Sequence, residues 1–509
     1  VGDAVLFLKA VFDEDLGMRT IKHPAEELSP VLSLELNTRR LTDLIAVGSV
    51  LAVFLIACST YPVYSGMLSA IVFAAVSLLV PEWRINQRIL LSPANWAILA
   101  FGFQLVILPA IVSVCGPEIG SLPAMPSQEA IEAAQLLDTL AFLSFIAGYL
   151  LIVRSPSRVT PGRPWADHSQ LVLPFLFIGL IGFAATFGTS LGTLFLPVDR
   201  HPTVSAVRGF IGVMCRPFAS FALLIFWAKK SRQLASAGRR VRADFLTAAT
   251  GAGVVVIFAT YGLGRNIFVV PLLSMIAAYG LRVRRLSLIA LASTGVVLAV
   301  ITVAAGAFRT VSMIDPPGIS AANSQQQITD AVHVSSNIQV YGEAPQFLAF
   351  VIEQTHWGRS LGWGSSLVSS FMYPIPELGK DYRESSGAAI YNRWLYGRLP
   401  VRDQNLPMQA ELFMNFHIPG VVLGFCLLGA VIALLHLRFL ARGSTLQAYS
   451  FQFAAFWAAF LIAGDTTSVV YIAITFCWPI VVYAIIDRLS RDQKSRVSLQ
   501  SPLRSSPRY

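Results

Sequence analysis

The stretch Ala134-Gln-Leu-Leu-Asp-Thr-Leu-Ala-Phe-Leu-Ser-Phe-Ile-Ala-Gly-Tyr-Leu-Leu-Ile-Val153, closed by Arg154, decides the fold class. About 20 such residues, coiled as helix at 1.5 Å each, cross the roughly 30 Å hydrocarbon core of a bilayer. In lipid the backbone has to satisfy its own hydrogen bonds, so a continuous apolar run means a helix. A membrane barrel would show short alternating strands instead.

Blocks of the same kind recur on both sides. Spans are expected at Leu41–Ser59, Val63–Val80, Ala94–Val114, Ala134–Val153, Leu171–Leu191 and Val207–Ala228. Further spans are expected at Phe245–Leu263, Asn266–Leu281, Leu286–Phe308, Ile418–Phe439, Phe451–Ala463 and Ser468–Ile486. The seventh and eighth, joined by Gly264 and Arg265 alone, read as a helical hairpin. The expectation is an all-α polytopic integral membrane protein with about twelve transmembrane helices and one large extracytoplasmic loop. Composition agrees: the 509 residues are 55% hydrophobic and 13% charged, against about 25% charge in soluble domains.

The net charge of +10 would raise nucleic acid as a partner in a soluble protein. Here the basic residues sit in alternate short loops. Arg39 and Arg40 precede the first span, and Arg84 and Arg88 follow the second. Arg154, Arg158 and Arg163 follow the fourth, Lys229 to Arg242 the sixth, Arg282 to Arg285 the eighth, Arg438 and Arg442 the tenth, and Arg488 to Arg496 the last. Lys and Arg mark the cytoplasmic side, so both termini are expected there and no nucleic acid is implied. The segment 1–40, with seven acidic side chains, reads as a cytoplasmic tail, or in part as sequence upstream of a start at Met18. Residues 41–307 then hold spans one to nine, 308–416 the extracytoplasmic loop, 417–487 the last three spans and 488–509 a basic cytoplasmic tail.

The 308–416 loop is too rich in aromatic residues for a disordered segment. Its rings, Tyr391 and Trp394 among them, suit either sugar faces or the bilayer interface. Val340–Glu353 reads as an amphipathic helix lying on the membrane. Arg359, Arg393 and Arg398 add charge to the loop. Arg200, Arg208, Arg216, Arg265 and Arg309 are placed by the topology near the outer leaflet, where few are expected. Guanidinium forks pair with phosphate oxygens, so this cluster suits a pyrophosphate headgroup, or else lipid phosphates or Asp138. Asp138 and Arg216 sit inside spans, where charge is costly. Glu411, His417, Glu343, Glu353 and His356 are candidate bases, or solvated loop residues. Glu411 and His417 directly precede a span.

No phosphate-binding Gly-Lys loop, paired-cysteine motif or HExxH occurs. The five cysteines lie in or beside apolar blocks, which implies neither metal site nor disulfide framework. No cofactor is implied. The hairpin Gly464-Asp-Thr-Thr467 is too short to mark a site.

Two stretches carry a resemblance. One is Tyr261-Gly-Leu-Gly-Arg-Asn266, opening a span with Phe268-Val-Val-Pro-Leu-Leu273. The other runs through Gly362-Trp-Gly-Ser-Ser-Leu367, Tyr373-Pro-Ile-Pro376 and Gln409-Ala-Glu-Leu-Phe-Met-Asn-Phe416, followed by Ile418-Pro-Gly420. These resemble the Wzy-type oligosaccharide repeat-unit polymerases of O-antigen and exopolysaccharide assembly. In that family a Gly/Ser-Arg pair opens a middle span. A long outer loop ends in Glu-Leu/Tyr and Asn-Phe-Gly. Here His417 stands where Gly is usual. The resemblance covers roughly 255–440.

It implies a glycosyltransferase of the bacterial inner membrane acting on polyprenyl-pyrophosphate-linked oligosaccharides, in contact with membrane lipid and working beside a flippase and a chain-length regulator. Arg265 and Arg309 would stabilise the leaving pyrophosphate, with Arg208 and Arg216 behind them. Glu411 would be a base or an orienting group. An O-antigen ligase shares this plan and differs in its acceptor. A transporter would place polar sites near the bilayer midplane.

Overall fold

The computed structural model describes residues 38–80, 93–118, 122, 124–154, 165, 168–188, 205–236, 345–372, 375, 382, 384–396, 406–440, 444–473 and 477–500. These residues form helices and turns, with no strand among them. Five helices are long and apolar enough to cross a membrane: Pro93–Cys115, Gln128–Arg154, Ser169–Phe187, Val207–Lys229 and Met408–Arg438. Asp43–Ala57 and Tyr64–Leu79 are shorter apolar helices. Large apolar side chains such as Leu44, Val47, Leu173, Phe177 and Leu423 stand exposed along them. Water tolerates few contiguous surfaces of that kind, and the chain is a helical membrane protein. The expected spans Phe245–Leu263, Asn266–Leu281 and Leu286–Phe308 lie outside the described residues.

In chain order the helices are α1 (Thr38–Ala57), α2 (Tyr64–Leu79), α3 (Pro93–Gly102), α4 (Leu108–Cys115) and α5 (Gln128–Arg154). A π-helical turn, Phe103–Ile107, joins α3 to α4. Then come α6 (Val172–Phe187), α7 (Ala206–Cys215), α8 (Pro217–Ser236), α9 (Pro345–Gln354), α10 (Ser365–Met372) and α11 (Gly387–Tyr396). The chain ends with α12 (Met408–Leu440), α13 (Thr445–Phe460), α14 (Thr466–Ile472) and α15 (Trp478–Gln500).

α5 is the central helix, packed against α2, α9 and α12. Lipid tails are as apolar as the side chains, so close packing holds such helices together, and small residues let backbones approach. Gly148 of α5 lies against the Cys426 carbonyl of α12, and Gly429 of α12 against the Phe145 carbonyl. Around this crossing sits an aromatic cluster. Phe101 has ring centroids of Phe142, Phe145 and Phe425 at 5.1, 5.3 and 5.9 Å. Each such pair contributes about 0.5–1.5 kcal/mol beyond area. A second cluster joins α6, α8, α13 and α15 through Phe175, Phe218, Phe221 and Tyr483. Trp478 meets Phe218 edge-on at 4.4 Å.

Helix starts are capped by carboxylates from neighbours. Glu353, at the end of α9, accepts from the N–H and Oγ of Ser127 at 2.9 and 2.7 Å, just ahead of α5. Glu132 of α5 accepts from the N–H groups of Tyr64 and Ser65 at 2.8 and 2.6 Å. Acidic groups there satisfy orphan donors and complement the helix dipole. Glu353 is therefore a clamp between α9 and α5.

The expected sixth span is present as Val207–Lys229, with α7 ending at Cys215 and α8 beginning at Pro217, whose nitrogen cannot donate to the preceding turn. One expectation needs correction. The helix at 340–353 does not lie on a surface with one face free. Every residue of Pro345–Ile352 is buried, and Phe347, Leu348 and Phe350 share a core with Phe73, Phe101 and Phe142. The described part of the 308–416 segment is folded into the helical bundle.

Leucine at Gly148 or Gly429 must force α5 and α12 apart, because the obstacle is backbone. Overpacking of this kind costs about 1–3 kcal/mol or more. The expected outcome for Gly148→Leu and Gly429→Leu is a lowered thermal midpoint in detergent. Gly48→Leu, which meets nothing within 4 Å, should leave the midpoint unchanged.

Candidate functional site

α12 is broken at His417, whose φ of 59° and ψ of −154° lie in a region essentially reserved for glycine. The arm Met408–Phe416 folds back along the start of the second arm. Leu412 lies against Gly424, and its carbonyl against Gly420. The break ends the first arm, and the last carbonyls of a helix have no intrahelical partners. Asn415 O would have accepted from residue 419, but Pro419 has no N–H. The turn after α9 supplies what is missing: Gly362 N–H donates to Met414 O at 3.0 Å, and Trp363 N–H to Asn415 O at 3.1 Å.

Side chains extend this junction. Asn415 Oδ1 accepts from Gly364 N–H at 2.9 Å. Its Nδ2 donates to Ser366 Oγ at 2.7 Å and to Glu411 O at 2.8 Å. Ser366 Oγ donates to Glu411 Oε1 at 2.9 Å. Glu411 Oε2 accepts from Thr466 N–H at 2.6 Å. Gly387, at the start of α11, admits Glu411 because a Cβ there would meet its carboxylate. Ser370 and Thr467 hydroxyls meet at 2.7 Å. Asp465 is buried beside the cluster and acts electrostatically on Glu411. One carboxylate thus joins α10, α11, α12 and the 464–467 turn.

The turn 356–364 is strained. His356, Trp357 and Trp363 have φ of 49°, 58° and 48°, uncommon for side chains other than glycine and outliers for bulky ones. Gly358 lies against the His417 ring, and Gly364 against the Phe416 ring. On the open side Trp363 is 78% exposed, and Trp357, Phe371, Phe416 and Ile418 are also exposed. Strain of this kind persists only where the surroundings over-determine it, and it gathers at functional sites.

Glu411 is 0% exposed and both oxygens are engaged. Its carboxylate ties α10 and the 464–467 turn to α12. His417 is half-buried, with its ring 4.7 Å from that of Phe413, and His356 is exposed. Arg359 is exposed in the strained turn. Arg393 donates to the Glu384 carbonyl and carboxylate at 3.0 and 3.1 Å, an exposed pair worth at most about 1 kcal/mol. Trp394 is half-buried against the core.

Tyr391 is fully buried in the core. Arg208 and Arg216 differ in exposure. Arg208 is exposed, its N–H donating to the Ser205 cap at 3.4 Å. Arg216 is buried at the α7–α8 break, where Nε donates to Gly212 O at 3.0 Å and the guanidinium lies 5.7 Å from the Phe187 ring centre. Arg200, Arg265, Arg309 and Arg398 lie outside the described residues. Ser366, Asn415 and the 464–467 turn were not among the expected site residues. Asn415 could have been found as the residue four after Glu411, on the same helical face.

No protein-family model, curated protein or solved structure matches this chain.

His417→Gly and His417→Ala both remove the imidazole, but only glycine relieves the backbone. The glycine variant should be more stable than the alanine one by about 1 kcal/mol, read as the difference between their thermal midpoints in detergent.

Proposed function

We propose that this chain joins polyprenyl-pyrophosphate-linked oligosaccharide repeat units into O-antigen or exopolysaccharide at the outer face of the cytoplasmic membrane, as a Wzy-type polymerase. One observation carries the reading. The Gly362-Trp-Gly-Ser-Ser stretch and the Glu411…Asn415-Phe416 stretch, on which the resemblance rests, are far apart in sequence yet meet through hydrogen bonds. The residue at the end of the second stretch, where the family has glycine, holds a glycine conformation.

In the proposed transfer an acceptor sugar hydroxyl attacks the anomeric carbon of the donor chain. The bond from that carbon to the pyrophosphate oxygen breaks, and its electron pair leaves with polyprenyl pyrophosphate. The hydroxyl proton goes to His417 or His356, whose imidazoles are less enclosed than Glu411. Glu411, with Asn415 and Ser366, sets the shape of the strained turn. Arg265 and Arg309 balance charge on the leaving group, and the exposed Trp363 and Trp357 offer apolar faces to sugar or lipid. Both termini are then cytoplasmic, and the full chain has about twelve spans.

A transporter is the second reading. One observation favours it: Ser69, Gln104, Gln135, Asp138 and Gln409 are buried together within the bundle, more polar surface than the apolar spans led us to expect.

Deleting the gene in its native host and resolving surface polysaccharide on gels separates these. A polymerase leaves single repeat units on the final acceptor and no long ladder. A ligase leaves no attached polymer, and a transporter leaves the ladder unchanged. In complementation, Arg265→Ala and Arg309→Ala should each reduce polymer by about 10²–10³-fold, the scale for losing one charge-stabilising group. Two full ladders would remove the assignment. Glu411→Gln should also shorten the ladder, because an amide cannot accept from Ser366 and Thr466 with the same charge.

A further inference from the structure

α10 is built inside out. Its buried residues are Ser366, Ser369 and Ser370, while Val368 and Phe371 are 52% and 62% exposed. A helix at a protein surface in water turns its apolar stripe inward and its polar residues outward. Here the polar face is the one that packs. Ser366 Oγ joins Glu411 and Asn415, and Ser370 Oγ meets Thr467 Oγ1 at 2.7 Å. The Ser369 and Ser370 hydroxyls also donate to the carbonyls of Ser365 and Ser366, both at 2.8 Å. Hydroxyls turned inward and apolar side chains turned outward suit a helix whose seat is more polar than its surroundings.

The apolar face of α10 does not stand alone. Gly364, just ahead of α10, lies against the Phe416 ring, and Trp363 beside it is exposed. Phe416 and Ile418, both exposed, head a stripe on α12 that continues through Leu423, Leu427 and Val431. A spacing of four residues keeps those three on one side of the helix. Met408–Arg438 is long and apolar enough to cross a membrane, and lipid tails are the solvent that matches an exposed apolar stripe on such a span. The α10 face is therefore continuous with a lipid-facing surface. From Ile418 to Arg438 the second arm rises about 30 Å at 1.5 Å per residue, roughly the thickness of the hydrocarbon core. The aromatic face thus lies at the membrane boundary, at the end of the arm opposite Arg438. Tryptophans gather at that level, and basic side chains there reach the headgroups. The strained turn exposes Trp357 and Arg359.

We propose that Trp363, Val368, Phe371, Phe416 and Ile418 form a lipid-embedded face, so that α10 and the strained turn sit in one leaflet under acyl chains. This part of the 308–416 segment is then a membrane-inserted element instead of a loop in water. The face needs neither the transferase nor the transporter reading to be correct. Its consequence is positional: the bilayer, together with the hydrogen bonds to α12, sets the height of His356 and Arg359 relative to the headgroups.

The test uses the purified full chain in phosphatidylcholine vesicles whose acyl chains carry bromine atoms, which quench tryptophan emission at contact range. Wild-type emission minus that of Trp363→Phe isolates Trp363 from the other tryptophans. The expected result is that most of this difference emission is lost in brominated vesicles relative to plain ones, and that iodide on both sides of the membrane leaves it unchanged. Phe371→Trp, read as the emission gained over wild type, should behave in the same way. Phe371→Asp puts a charge into lipid and should lower the thermal midpoint in vesicles, whereas an exposed position in water would tolerate it. Emission that survives bromine overturns the face: quenching by iodide would place Trp363 in water, and protection from both quenchers would place it under a second copy of the chain. An unchanged midpoint for Phe371→Asp would overturn it as well.

Discussion

Every backbone donor and acceptor in an apolar surrounding has to find a partner, and the break at His417 puts that constraint to work. A helix that turns back on itself inside a bundle strands carbonyls. Those of Met414 and Asn415 accept from the N–H groups of Gly362 and Trp363. The rest of the region follows from this closure. The turn after α9 must come close enough to donate, which brings Gly358 and Gly364 onto the His417 and Phe416 rings. In the turn held there, His356, Trp357 and Trp363 have left-handed backbone. The exposed aromatic apron is the outer surface of a hydrogen-bonding solution.

Glu411 is the second support of the same junction. A carboxylate with no solvent exposure is tolerated only when its oxygens are engaged. Ser366 and the Thr466 backbone do this from two directions, so the charge becomes a tie between segments distant in sequence. Asn415 completes the tie with one amide that accepts from the turn and donates to both Ser366 and the Glu411 carbonyl. Removing any one member leaves a buried polar group unmet.

Around it, packing is carried by shape. Gly148 and Gly429 let α5 and α12 touch backbone to backbone, and the Phe101 cluster fills the angle between them. The sequence alone showed that these helices exist, since apolar blocks such as 134–153 leave the backbone no other option. It did not show that α9 would be enclosed. A ten-residue helix with one glutamate and two glutamines reads as amphipathic, and only its neighbours reveal that Gln346 is enclosed with the apolar residues, while Glu353 and Gln354 stay at the open end. Nor did periodicity reveal the interruption between Cys215 and Pro217 or the reversal at His417.

Membrane character was therefore determined by the sequence by itself, because hydropathy and span length are local properties and lipid allows only one local answer. Glu411 and His417 were legible as residues of interest for a similar reason: polar groups at the mouth of an apolar run stand out, whereas Asn415-Phe416 was noted only through the resemblance. Their roles were not legible. Whether Glu411 meets solvent or is sealed by Ser366 and Thr466, and whether Tyr391 shows a face or is buried, depends on segments tens of residues away. The 464–467 turn seemed too short to matter until the fold laid it on Glu411. Hydrogen-bond satisfaction across distant segments is a tertiary quantity, and no window of sequence contains it.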